Sequence, residues 1–167
     1  YAAETTQPSE DIRLMNFFET SWAKYLHNQP EFKTQIGIKD EDYGKWNDRS
    51  DTNVIKMYEQ NKADLAYLLE KFDYIKLSSQ KKISYDFYKQ HLEDSIDAHS
   101  YRFHNYMIEP HGGQIAELFV FLQNNHKVAS LEDAQYFLER LSGLGTAIEQ
   151  YKVNSKLQAD KGIMVPA

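Results

Sequence analysis

Apolar residues recur along this chain at steps of three and four, the spacing of helix faces, and nowhere alternate clearly in the period-two pattern of a strand. Leu14, Phe17, Phe18, Trp22 and Tyr25 form the first such face. They predict a helix from Ser9 to about His27, capped by Ser9, with Glu10 and Asp11 at the positive end of its dipole. Pro30 resets the chain, and residues 31–36 predict a short helix stopped by Gly37. Residues 38–50 read as a polar loop whose two aromatics, Tyr43 and Trp46, either fold back onto the body or face a ligand. Val54, Tyr58, Asn61, Leu65, Leu68 and Phe72 then mark a packing seam on a helix from about Asp51 to Phe72. After a break at Leu77-Ser78-Ser79, a helix to about His104 carries Tyr85, Tyr88, Leu92, Ile96, His99 and Phe103 on one side. A loop over 105–113 leads to a shorter helix over 114–124. The last helix starts at Ser130, where Ser130-Leu131-Glu132-Asp133 resembles a capping box. Its expected apolar face is Ala134, Phe137, Leu138, Leu141, Leu144 and Ile148.

Gly143 and Gly145 lie inside that last helix, each costing about 1 kcal/mol relative to Ala, which suggests a kink or a close helix crossing. Gly162 fits a C-terminal cap and Pro166 forbids continuation. The pattern predicts an all-α protein: an irregular antiparallel bundle of about five helices, with a few short helices and loops. Residues 1–8 are expected to be a flexible tether and 9–167 a single helical domain. The opening is small and polar, as the stretch after a removed signal peptide reads, and an arbitrary fragment boundary reads the same way.

Composition narrows the function classes. A hydrophobic share of 41% with 12 Tyr and 9 Phe supports a packed core rather than a disordered tail. The net charge is −6, and no stretch interleaves a Lys/Arg run with aromatics, so a nucleic-acid partner is set aside. No apolar run approaches the roughly 18 residues that span a bilayer. There is no cysteine, which excludes disulfides and thiolate metal sites.

The six histidines form no His-Glu-x-x-His pair. His99 and His104 are five apart, so on a helix they point about 140° away from one another. His99 falls on the apolar stripe and reads as a core histidine. His91 and Asp94 could share a metal but lack a third ligand. No Gly-x-Ser-x-Gly elbow and no phosphate-binding glycine loop is present. The segment Met107-Ile-Glu-Pro-His-Gly-Gly-Gln114 stands out. Two glycines before a helix free its first amides, and His111 adds a group that titrates near neutrality. The segment reads either as the lip of a substrate cleft or as a tight turn that needs glycine.

Several segments together resemble one family. They are Phe17-Phe-Glu-Thr-Ser-Trp22, Asn28-Gln-Pro-Glu-Phe-Lys-Thr-Gln-Ile-Gly37, Trp46-Asn-Asp-Arg-Ser50 and Leu77-Ser-Ser-Gln-Lys-Lys-Ile-Ser-Tyr-Asp86. Gly112-Gly113, Glu132-Asp-Ala-Gln-Tyr-Phe-Leu-Glu-Arg-Leu141 and the closing Gly162-Ile-Met-Val-Pro166 complete the set. In order and spacing they resemble the amino-terminal portion of the bacterial domain-of-unknown-function family 885. Phe137 and Gly143-Leu144-Gly145 depart from its pattern.

The resemblance implies a chain of several hundred residues, exported to the periplasm or held there as a lipoprotein, with the cytoplasm left open. It implies a zinc metallopeptidase whose ligands lie beyond this stretch. The expectation for this chain is therefore no catalytic residue, no metal ligand and no cofactor of its own, with zinc in the parent protein. Its partners would be the remainder of its own parent chain, a peptide substrate, or a second copy joined through an exposed apolar face. The resemblance further implies that Tyr106, His111, Gly112 and Gly113 line the far wall of a substrate channel. A free-standing helical module that binds a protein or peptide is the other reading.

Overall fold

The computed structural model describes residues 9–105 and 113–163. Six α-helices are present among them: α1 (Glu10–His27), α2 (Pro30–Gln35), α3 (Asp51–Lys71), α4 (Ser79–Ala98), α5 (Gly113–Asn124) and α6 (Leu131–Asp160). Two 3-10 turns, Tyr74–Lys76 and His99–Tyr101, complete the list, and no strand occurs among the described residues. The all-α expectation holds. No described helix is long and apolar enough to cross a membrane. The chain divides into two compact units, residues 1–24 with 57–99 and residues 25–56 with 100–167.

In the first unit, Leu14, Leu68, Phe72, Leu77, Tyr85 and Leu92 form the buried core, with Phe17, Phe18, Leu65 and Tyr88 packed against it. The Phe17 ring lies 5.2 Å from Tyr67 and 5.6 Å from Phe72, the separations at which aromatic pairs attract. The acids at the start of α1 act beyond its dipole. Glu10 accepts from the Asp73 amide at 2.7 Å and Asp11 from the Ser78 amide at 2.9 Å, so both tie down the α3–α4 connection. The expected apolar face of α1 is only partly right. Trp22 stays half exposed, and Tyr25, which already belongs to the second unit, meets Phe32 of that same unit edge-on at 5.9 Å. The helix expected to reach His104 ends at Ala98. There the His99 amide bonds to Ile96, three residues back, and the chain tightens into a 3-10 turn. His99 stacks on Tyr58 at 4.0 Å.

In the second unit, α5 packs on α6 through Leu118, Ala147 and Tyr151, joined by Trp46, Ile115, Leu144 and Ile148. Gly37 and Gly162 adopt φ of 84° and 74° and end α2 and α6 in the same way. In each, the glycine amide bonds back to Thr34 or Ala159, and the next amide reaches Lys33 or Gln158. The face that α6 buries differs from the one expected. Leu138 is 64% exposed and Leu141 46%, whereas Asp133, Arg140, Ala147, Tyr151, Asn154 and Gln158 are buried. The stripe is rotated by roughly 100° at 100° per residue. The cause is that polar side chains of α6 bond to backbone carbonyls of other segments, which hydropathy cannot register. Gly143 fits the close-approach reading, but it is a loop and not a helix that approaches: a Cβ there would lie 3.1 Å from Trp46 Cδ1. Gly145 has nothing within 4 Å, and α6 runs unbroken through both glycines.

Candidate functional site

The densest polar chemistry lies where the 38–50 loop of the second unit is pinned along α6. Its centre is Arg140, which has no exposed surface. The guanidinium Nε and Nη2 both donate to Lys45 O, at 3.0 and 2.8 Å, and Nη2 also donates to Thr34 Oγ1 at 2.9 Å. Nη1 donates to His126 Nδ1 at 3.0 Å. These four bonds end on neutral acceptors. The rings of Phe121, Tyr43 and Trp46 lie 5.0, 5.6 and 5.7 Å from the guanidinium carbon, within cation–π range. Burial lowers the Arg140 pKa to about 10, with the Glu31 charge opposing the shift.

His126 is the partner that fixes this arrangement. Its Nδ1 accepts from Arg140, so its proton sits on Nε2, which faces Asp133 O at 3.2 Å. Tyr43 lies over the imidazole at 4.3 Å, and the Tyr43 hydroxyl donates to Lys127 O and accepts from Lys127 N. Burial pushes the His126 pKa below its ordinary value, the Asp133 carbonyl opposes, and the Arg140 charge pushes it down further. The ring is therefore neutral at pH 7.

Ion pairs hold the loop on either side. Lys33 is buried between Asp40 at 2.6 Å and Asp42 at 2.5 Å, and Lys45 reaches Asp42 at 2.8 Å. Burial alone would raise the Asp42 carboxyl, but the bonds from Lys33 and Lys45 outweigh it and hold it below the usual carboxylate range. Asp133 accepts from Lys39 at 2.7 Å and from the Ala129 amide at 2.9 Å, while Ser130 caps the Asp133 amide at 3.0 Å. Half of the expected capping box thus forms, and its acid turns to Lys39 instead. Further along, Arg49 bonds both oxygens of Glu31 at 2.7 Å and the Tyr151 hydroxyl at 2.6 Å. Asn154 donates to Arg49 O at 2.6 Å, and Trp46 Nε1 to Arg140 O at 2.7 Å. The loop aromatics fold inward. An open hollow of about 540 Å³ beside this network is lined by Lys39, Asp40, Glu41, Glu132, Asp133 and Tyr136.

Chemically, the arrangement holds a loop in place. Both nitrogens of His126 are engaged and Arg140 is sealed from solvent, so neither can meet a substrate. Of the residues expected from sequence to line a channel, Gly113 opens α5 with φ of 63°, as a tight turn requires. Tyr106, His111 and Gly112 lie outside the described residues. His91 lies near the Tyr88 ring, and Asp94 accepts from Gln90 at 2.8 Å. Among the described residues no group of three His, Cys, Asp or Glu side chains could share a metal ion.

Sequence reasoning missed Arg140, His126, Thr34 and Lys45. The available signal was phase: Arg140, Asn154 and Gln158 lie in register with Phe137, Leu144, Ala147 and Tyr151 at steps of three and four. The family model described as a bacterial protein of unknown function (DUF885) matches residues 30–167. No curated protein and no solved structure matches the chain.

Proposed function

Because the chain belongs to the bacterial DUF885 family, we propose that it is the non-catalytic helical amino-terminal segment of a longer, exported zinc metallopeptidase, forming a wall of its substrate channel. The observation that carries this reading is the inward-turned polar network around Arg140. It makes a stiff wall with its reactive groups bonded to one another rather than aimed outward. Zinc in such an enzyme would supply Lewis-acid activation of water for peptide hydrolysis, and its ligands and the base would stand in the remainder of the parent chain. The row of Leu131, Leu138 and Leu141 on the outer face of α6 suits burial against that remainder.

The same row favours a second reading, a free-standing module that binds a protein or peptide through this face or pairs with a second copy. One experiment separates them. The full gene product and residues 1–167 alone are purified, dialysed, and assayed for zinc by mass spectrometry and for peptide hydrolysis with and without chelator. The reading expects zinc and chelator-sensitive hydrolysis from the full product and neither from the shorter chain. Stoichiometric zinc with chelator-sensitive activity in residues 1–167 would overturn it. So would a gene that stops soon after Ala167.

A further inference from the structure

His126 stands in the connection between α5 and α6, under the two points where the 38–50 loop is fastened. A guanidinium can only donate, so His126 Nδ1 must accept from Arg140 at 3.0 Å. The one proton of the neutral ring then faces Asp133 O from Nε2. A second proton would have to enter at Nδ1, against the Arg140 N–H. Arg140 cannot give way by losing its own proton, since its pKa stays at about 10. Both fastenings of the loop pass through this pair. Arg140 holds Lys45 O, and the Tyr43 ring covers the imidazole at 4.3 Å while its hydroxyl bonds Lys127 N and O.

The surrounding charges do not make an imidazolium welcome. Asp133 of α6 would favour it, but that carboxylate is bonded to Lys39 and to the Ala129 amide. Lys39 of the loop and Arg140 of α6 both oppose it. Glu31 and Glu139 act on Arg140 and strengthen its hold on the proton. Phe137 meets the imidazole edge-on at 5.3 Å, and α2 and α5 bring uncharged Thr34 and Phe121 to the guanidinium.

We propose that His126 is an acid-sensitive latch, whose protonation releases the 38–50 loop from α6 while the helices of this unit stay formed. The proton taken up at Nδ1 breaks the bond to Arg140, and the ring leaves its place under Tyr43. Tyr43 and Lys45 then come free together, because each is tied to the pair that has parted. The hollow of about 540 Å³ has Lys39, Asp40 and Glu41 of the loop on one side and Glu132, Asp133 and Tyr136 on the other, so release opens it. The latch works whether or not the chain walls a channel. Its sign follows from linkage. Held in place, the imidazole titrates below 6.5, and released it titrates at its ordinary value, so acid favours release. The open fraction can grow by at most about tenfold per pH unit below 6.5, or about thirtyfold from pH 6.5 to pH 5.

The test is native-state hydrogen exchange of the chain, read by NMR at pH 6.5 and pH 5 with each rate divided by its intrinsic value. The amides of Tyr43, Lys45 and Lys127, bonded to Asp40 O, Asp42 O and the Tyr43 hydroxyl, report the latch. Their opening should rise between about tenfold and about thirtyfold at pH 5 and should not respond to low urea, the mark of a local event. His126→Gln keeps an acceptor for Arg140 and a donor for Asp133 O but cannot titrate, and it should abolish the rise. An equal rise in that variant, a smaller rise in wild type, or loop amides that follow those of α6 in urea would overturn the proposal. The imidazole itself is followed in the wild-type chain by its ring nitrogen shifts. A proton on Nδ1 at pH 7.5, or titration at or above 6.5, would overturn the proposal even if the Gln variant does not fold.

Discussion

Replacing Arg140 by Met removes a buried cation and keeps most of its volume. Two effects oppose one another. A guanidinium held at about 10 instead of 12.5 has lost about 3 kcal/mol of its preference for the charged form, and an apolar side chain escapes that penalty. Against this, four hydrogen bonds from a charged donor disappear, at about 1.5 kcal/mol each or about 6 kcal/mol together. Thr34 Oγ1 and His126 Nδ1, both enclosed, are left without that donor. Arg140→Met should therefore cost about 3 kcal/mol, or about 6–12 °C in Tm for a chain of this size. Arg140→Lys should cost at least as much. It keeps a buried charge that is more strongly hydrated, and a single nitrogen cannot span the acceptors that the planar fork reaches. The chain has two tryptophans, so in a Trp22→Phe background the fluorescence of Trp46, whose indole donates to Arg140 O, follows this unit directly. Urea unfolding at pH 7.5 measures the difference. A neutral Arg140→Met would refute the value assigned to the bonds. An Arg140→Lys variant within about 0.5 kcal/mol of wild type would show that charge, and not the fork, is what the site requires.

The remaining predictions concern acid and glycine. His126 has a folded pKa below its unfolded 6.5, so its stabilisation is complete above pH 6.5 and is lost as pH falls through the lower folded value. Urea midpoints should therefore drop between pH 7.5 and pH 5 in wild type, and less in His126→Phe; equal slopes would sink the assignment. The depressed carboxyls of Asp42 and Asp133 titrate below 3.8, outside that window. Gly145→Ala meets nothing within 4 Å in mid-helix and should stabilise by about 1 kcal/mol, read as a rise in Tm. Gly143→Ala should fail to match it, because its Cβ would press on Trp46 Cδ1 at 3.1 Å; equal gains would refute the close approach.

Helix positions were legible because they rest on local signals. Ser78 and Ser130 cap α4 and α6 through their side chains, Gly37 and Gly162 supply the left-handed residue that ends α2 and α6, and Pro30 opens α2. Each effect operates within a few residues and needs no partner from elsewhere. The core of the first unit was readable for a related reason: Leu14, Leu68, Tyr85 and Leu92 are apolar, and burial of apolar area does not depend on direction. The family was legible from scattered motifs, most of which fall within the matched residues 30–167.

What the sequence determined, then, is the helices, their caps and the apolar part of the core. What the tertiary structure alone decided is which face of α6 turns inward and how the 38–50 loop is held. Those choices rest on Arg140, Asn154 and Gln158 meeting the carbonyls of Lys45, Arg49 and Phe103, partners 95, 105 and 55 residues away. A buried polar side chain is favourable only when such acceptors converge on it, and that convergence comes into being with the fold.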